Sequence, residues 1–354
     1  PGPRWRAAAA VALIALYLRR HAVDVPTLLV MVYLELIIAL GVLVLRLARA
    51  GEAPGLARYV QAIVPGIGAM AVIFLIASLL DYGTSRDLGV VALVVAVVVL
   101  PWARSRPLAA FVLARAVRGS LVERFGFAVF ACWLASLCAR TNDALGYDSA
   151  WYGLRGHLVL APRESFFDET GLVSPVNYFP KLAELLMLPL NRMPDFSYMF
   201  ALTIGCYALI ALVAHAIARR LGADRRGAVI AMLLALSLPA VANLALTTKA
   251  DILALLFLMI AAYWALGFVA TRGWPAFFLA LFATGFATQA KLTSAPFGLA
   301  VVLAALALGC PRGRALATTD ANGPSDAASA STRMAVVVGV LLALDVNSVQ
   351  QSTH

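Results

Sequence analysis

Long uninterrupted apolar runs set this chain apart from anything that folds in water. Runs of roughly membrane-spanning length fall near residues 25–45, 60–80, 88–102, 121–139, 197–218, 228–246, 252–270, 276–290 and 295–309, with weaker partial runs at 7–18 and 334–344. Inside a bilayer only helices and closed barrels satisfy every backbone polar group. The runs are continuous rather than alternating, which argues against a barrel. Hydrophobic residues make up 62% of the 354 positions and charged residues 13%, against roughly 45–50% and 25% in soluble domains. The expected fold is therefore an all-α, polytopic transmembrane helical bundle of about 9 to 11 spans, with one long extracytoplasmic loop carrying short interfacial helices.

The net charge of +10 would suit a nucleic-acid partner only if the basic residues shared one face. They sit instead in short clusters between apolar runs, the pattern of membrane topology. Placing the basic loops 46–58, 104–124, 219–226, Arg272, and Arg312 with Arg314 in the cytoplasm forces 81–87, 140–196, 247–251 and 290–295 to the outer face. Arg19 and Arg20 are the one discord. The expected home is a bacterial inner membrane with the functional face outward, in contact with membrane lipids and not with nucleic acid. Cys132, Cys138, Cys206 and Cys310 lie in or beside apolar runs without zinc spacing and read as small buried hydrophobes.

The organisation expected is N-terminal transmembrane helices over 1–120, a core over 121–309 containing the outer loop 140–196, a flexible cytoplasmic linker over 310–333, and a truncated transmembrane segment with a polar stub over 334–354. The chain starts at Pro1 rather than Met and its last apolar run is short, so an incomplete chain, inactive as this fragment, is the expectation. No internal repeat indicates an inverted-repeat transporter.

Loop 140–196 holds seven acids, five bases and many aromatics, far more chain than a helix connection needs. In it, Asp148 is a candidate general base for an acceptor hydroxyl. Trp151 and Tyr152 offer flat faces to a sugar ring, and Arg155 offers a planar fork to a phosphate. The competing account of these residues is an interfacial aromatic belt with solvated charges. Pro175 and Pro180 fix an extended segment that aims Tyr178 and Lys181, and 182–190, apolar but too short to span, is expected to lie in the interface. Asp251 opens a later span, where capping that helix is the plain alternative to a functional role for an acid at membrane depth. Lys291 ends another outer loop. Only three of the 28 basic residues are lysines, Lys181, Lys249 and Lys291, and all three fall on the face of Asp148 and Asp251. Glu35, inside the second run, has no expected role beyond pairing with a neighbour.

The segments Tyr147-Asp148-Ser149-Ala150-Trp151-Tyr152-Gly153-Leu154-Arg155, Asn177-Tyr178-Phe179-Pro180-Lys181-Leu182-Ala183-Glu184, Lys249-Ala250-Asp251-Ile252-Leu253 and Gly285-Phe286-Ala287-Thr288-Gln289-Ala290-Lys291 together resemble the GT-C superfamily, in the branch similar to protein O-mannosyltransferases and aminoarabinose transferases. The resemblance covers roughly 121–309. It implies a membrane glycosyltransferase of the cell envelope, a hexosyl or pentosyl transferase. Such an enzyme moves a monosaccharide from a polyprenyl-phosphate donor to a lipid, glycan or protein acceptor on the extracytoplasmic face, by an inverting single displacement. It maps the base to Asp148, with Asp143 as a rival, a second catalytic acid to Asp251, and stabilisation of the departing phosphate to Lys291 and Arg155, with Lys181 and Lys249 as further substrate-binding cations. No cofactor is required by the sequence. Some relatives hold a divalent metal near the site, and His157 alone does not build one. The alternatives are a polysaccharide polymerase or ligase, and a lipid-linked sugar flippase or transporter, which would place its polar residues within the spans.

Overall fold

The computed structural model describes residues 3–48, 55–103, 107–141, 160–167, 181–192 and 194–309. Apart from one isolated bridge between Arg192 and Asp195, the regular elements among the described residues are helices. They are α1 (Pro3–Arg20), α2 (Asp24–Leu47), α3 (Leu56–Leu79), α4 (Ser85–Ala103), α5 (Leu108–Arg118), α6 (Leu121–Ala139), α7 (Leu182–Met187), α8 (Ser197–Arg220), α9 (Arg225–Ser237), α10 (Pro239–Ala245), α11 (Asp251–Thr271), α12 (Trp274–Ala290) and α13 (Ala295–Gly309). Short 3-10 turns follow α7 at Leu188–Leu190 and precede α13 at Leu292–Ser294.

Among the described residues, seven helical units are long and apolar enough to cross a membrane: α2, α3, α4, α6, α8, α11 and Leu292–Gly309. An eighth arises if α9 and α10, bent by 67°, form one broken span. Against the 9 to 11 spans expected of the whole chain, the described residues supply seven or eight. At 17 residues, α12 is about 26 Å long, short of the roughly 30 Å hydrocarbon layer. The linker 310–333 and the run 334–344 lie outside the described residues.

The centre of the bundle is α11. It carries no charge after Asp251 and is apolar on every face, so it buries nearly every residue from Ile252 to Phe268, as an all-round apolar helix does. It packs on α12, α8 and α13. Beside it, α2 and α3 cross closely because each offers a glycine: a Cβ on Gly41 would stand 1.8 Å from the Ala62 carbonyl oxygen, and one on Gly66 1.9 Å from that of Ile37. Close backbone approach through small residues is how helices associate where lipid removes the hydrophobic drive.

The break between α9 and α10 follows from Pro239, which has no N–H to donate and starts a new helix. The polar groups exposed there are satisfied by α8. Tyr207 donates its hydroxyl to the Leu236 carbonyl and accepts from the Trp133 indole, while buried Thr203 donates to the Ala245 carbonyl at 2.7 Å. Glu35 also finds its role. Its carboxylate accepts from the Ala109 N–H at 3.0 Å, capping the first turn of α5.

Segment 182–190 forms a short helix and turn as expected, but it does not lie along the interface. Leu186, Met187 and Leu188 are at most 3% exposed; α7 packs on α3 and α12, and its 3-10 turn packs on α4. Tyr33 of α2 donates to the Leu186 carbonyl at 3.0 Å. The run Leu185-Leu186-Met187-Leu188-Pro189-Leu190 has no polar face to leave in headgroups, so it wedges into the bundle. Of the cysteines, Cys138 and Cys206 are buried as expected, whereas Cys132 is exposed on α6.

By helix order Arg46, Arg115, Arg118, Arg219, Arg220 and Arg272 fall at one end of the bundle and Asp251, Lys291 and Lys181 at the other, where Arg19, Arg20, Arg86, Arg140, Arg163 and Arg192 also fall. Along α11 the two ends stand about 32 Å apart, at 1.5 Å for each of its 21 residues.

Candidate functional site

The Asp251 carboxylate and the Lys291 ammonium form an ion pair at the start of α11 and the end of α12. The side chains are 14% and 36% exposed, so the pair is half-sheltered and reachable. Capping does not account for Asp251. It is the first residue of α11, its helix has no side-chain cap, and its carboxylate turns to Lys291 while its charge still favours the positive end of the helix.

Local structure holds both partners. Lys291 leaves α12 in an extended conformation with its amide donating to Ala287, and its carbonyl accepts from both the amide and the hydroxyl of Ser294. The turn before Asp251 is pinned by Thr203 through Ala245 and by Thr247, which donates its hydroxyl to the Leu244 carbonyl. Lys249 lies on that turn, two positions before Asp251.

A cleft of about 1850 Å³ runs along the bundle between α3 and α12, backed by α7 and α11. At the Asp251 end it is lined by Phe166, Phe167, Lys181 and Gln289, the last two positions before Lys291. Phe166 and Phe167 are held there because the Phe166 amide donates to the Ser78 hydroxyl and the Gly83 amide to the Glu164 carbonyl, both at 2.6 Å. The cleft opens sideways to lipid at Val72, Phe278 and Phe282, each more than half exposed.

Lys181 pairs with Glu184 at 3.6 Å. Burial pushes the Glu184 carboxyl above the usual carboxylate range, with Lys181 pulling it back, and its Oε2 meets no hydrogen-bond partner among the described residues. The sequence quoted Glu184 within a motif and gave it no role. Its signal was an acid set inside a run of leucines.

Of the residues expected to form one site, Asp251 and Lys291 are brought into contact, while Lys181 lines the cleft with Gln289. Asp148, Trp151, Tyr152, Arg155 and Tyr178, with Asp143 and His157, lie outside the described residues. Among the described residues no group of three or more His, Cys, Asp or Glu is placed to hold a metal ion.

A comparison with known families bears on this end of the cleft. Residues 186–321 match the family model of dolichyl-phosphate-mannose-protein mannosyltransferases. No curated protein and no solved structure gives a significant match. The mannosyltransferase match spans less than half of the chain, yet takes in α8 to α13 and therefore both Asp251 and Lys291. Lys181 and Glu184 fall just before it. Over the matched stretch the chain is similar to membrane glycosyltransferases of the GT-C type, in agreement with the resemblance carried by its motifs.

Proposed function

We propose that this protein transfers a monosaccharide from a polyprenyl-phosphate donor to an acceptor hydroxyl on the extracytoplasmic face. The observation that carries the reading is the Asp251–Lys291 pair, inside a stretch similar to mannosyltransferases, two residues from Gln289 in the lining of an apolar cleft. The cleft suits an isoprenoid tail. A half-sheltered ammonium beyond that end of the lining suits the phosphate to which that tail is joined.

In an inverting displacement the acceptor oxygen attacks the anomeric carbon opposite the phosphate, the bond from that carbon to the phosphate oxygen breaks, and a base takes the hydroxyl proton. Asp148 is assigned as that base, with Asp143 as the rival, and Trp151, Tyr152 and Tyr178 as sugar contacts. Lys291 meets the leaving phosphate, where negative charge develops, and Arg155, Lys181 and Lys249 are assigned as further phosphate contacts. Asp251 holds the Lys291 ammonium toward that phosphate while leaving it further N–H groups to donate. One base suffices, because no covalent glycosyl intermediate forms. The outer-face assignment rests on the arginines at the opposite end, which the positive-inside rule keeps in the cytoplasm. The reaction as written needs no metal; transfer lost on chelation would add a divalent cation to the phosphate contacts.

The test is sugar transfer from radiolabelled polyprenyl-phosphate sugars in membranes containing the full-length protein, at matched expression. Transfer should be lost in Asp148→Asn and in Lys291→Met. Transfer that persists in Asp148→Asn moves the base to Asp143, and no transfer from any polyprenyl-phosphate donor sinks the reading.

A further inference from the structure

The other end of the cleft is also built for a charged ligand. Arg220 closes α8 and lines the cleft together with Gln61, Trp264 and Thr271. Its guanidinium lies 3.8 Å from the centre of the Tyr263 ring and donates one N–H to the Tyr263 carbonyl. No carboxylate among the described residues pairs with it. Gln61 is engaged with the Tyr263 side chain. Trp264 borders the cleft and is only 8% exposed, with its Nε1 sealed inside the bundle rather than facing the cleft.

A cation at membrane depth is costly unless something answers its charge. An aromatic face, a backbone carbonyl and the negative end of its own helix answer part of it. Guanidinium carries five N–H donors in a planar fork matched to carboxylate or phosphate, and the Tyr263 carbonyl answers one of them. The missing partner is therefore an anion with acceptor oxygens, joined to something apolar enough to lie in the cleft.

We propose that this end of the cleft binds the phosphodiester headgroup of an anionic phospholipid of the cytoplasmic leaflet. Arg220 carries the charge match, and one guanidinium fits a monoanionic phosphodiester better than a dianionic phosphomonoester. Its acyl chains lie against Val44, Leu45 and Phe278. The donor phosphate of the transfer reaction sits at the opposite end, so the two lipids approach from different leaflets, and this site stands whether or not sugar transfer does.

Full-length protein in nanodiscs tests this through tryptophan quenching, with the Trp264→Phe variant subtracted to isolate Trp264 from the other five of the six tryptophans. At equal membrane fraction, phosphatidylglycerol with brominated chains should quench Trp264 more effectively than brominated phosphatidylcholine, by about fivefold, the factor equivalent to roughly 1 kcal/mol for one basic residue at an anionic lipid. Arg220→Gln should erase the preference and Arg220→Lys keep part of it, which separates lost charge from lost folding. Equal quenching by both lipids in the wild type, or an undiminished preference in Arg220→Gln, overturns the proposal. So does recovery of Trp264 emission on adding polyprenyl phosphate but not on adding unlabelled phosphatidylglycerol, which assigns this end to the phosphomonoester.

Discussion

At the end of the cleft where α11 begins, Lys291 faces a carboxylate of its own chain; at the end where α8 finishes, Arg220 faces an aromatic ring and a backbone carbonyl. The walls between them are the same apolar side chains. A cation already paired is oriented and electrically quiet until a substrate arrives, which suits a group asked to stabilise charge only as a bond breaks. A cation answered only by dipoles gains most from a resident anion. The same cleft thus separates a place for chemistry from a place for binding.

The largest effect expected is on transfer. Lys291→Met removes the cation at the leaving phosphate and should lower the rate of full-length protein by about 10²–10³-fold, the usual cost of one lost charge-stabilising donor. A drop as large in Arg220→Gln would erase the distinction between the two ends. Next comes Thr203→Val, which strips the hydroxyl from the Ala245 carbonyl behind Asp251; thermal unfolding should show a loss of about 1–3 kcal/mol, the cost of a buried acceptor left unmet. A smaller effect belongs to Glu184. Its raised folded-state pKa means that, between the ordinary carboxylate value and the raised one, the folded chain holds a proton the unfolded chain has released. Stability therefore falls as pH rises through that window. Glu184→Gln should flatten this slope and raise the melting temperature at neutral pH, on a scale of about 2–4 °C per kcal/mol. Smallest is Arg219→Gln. Among the described residues that exposed side chain donates only to the Ala223 carbonyl, and its loss should change stability by less than about 0.5 kcal/mol, in contrast to its neighbour Arg220.

The apolar runs made the spans legible because length and hydropathy are local properties. The run at 121–139 became α6 over Leu121–Ala139, and 295–309 became α13. The run at 228–246 concealed a 67° bend, although Pro239 marked it. The short apolar segment at 182–190 was read as interfacial because its length is local information, whereas its burial depends on α3, α4 and α12, which sequence does not place around it. Topology put Asp251 and Lys291 on one face, but their direct contact was not foreseen, because it depends on how closely the ends of α11 and α12 pack. Arg220 was absorbed into the topology argument as one more basic loop residue. Its cleft-facing role required knowing that Tyr263 and Trp264 of another helix stand beside it.

The wedge formed by α7 and its 3-10 turn has a consequence for how the protein is made. At six residues, α7 is about 9 Å long, so it cannot enter lipid by itself, where its unpaired end groups would have no water to meet. One of its packing partners, α12, is synthesised some ninety residues later. The wedge must therefore wait at the membrane surface during translation and slot in only after α12 is present, which makes its insertion a closing step of assembly and the gap it leaves a point at which a stalled chain is exposed to proteases.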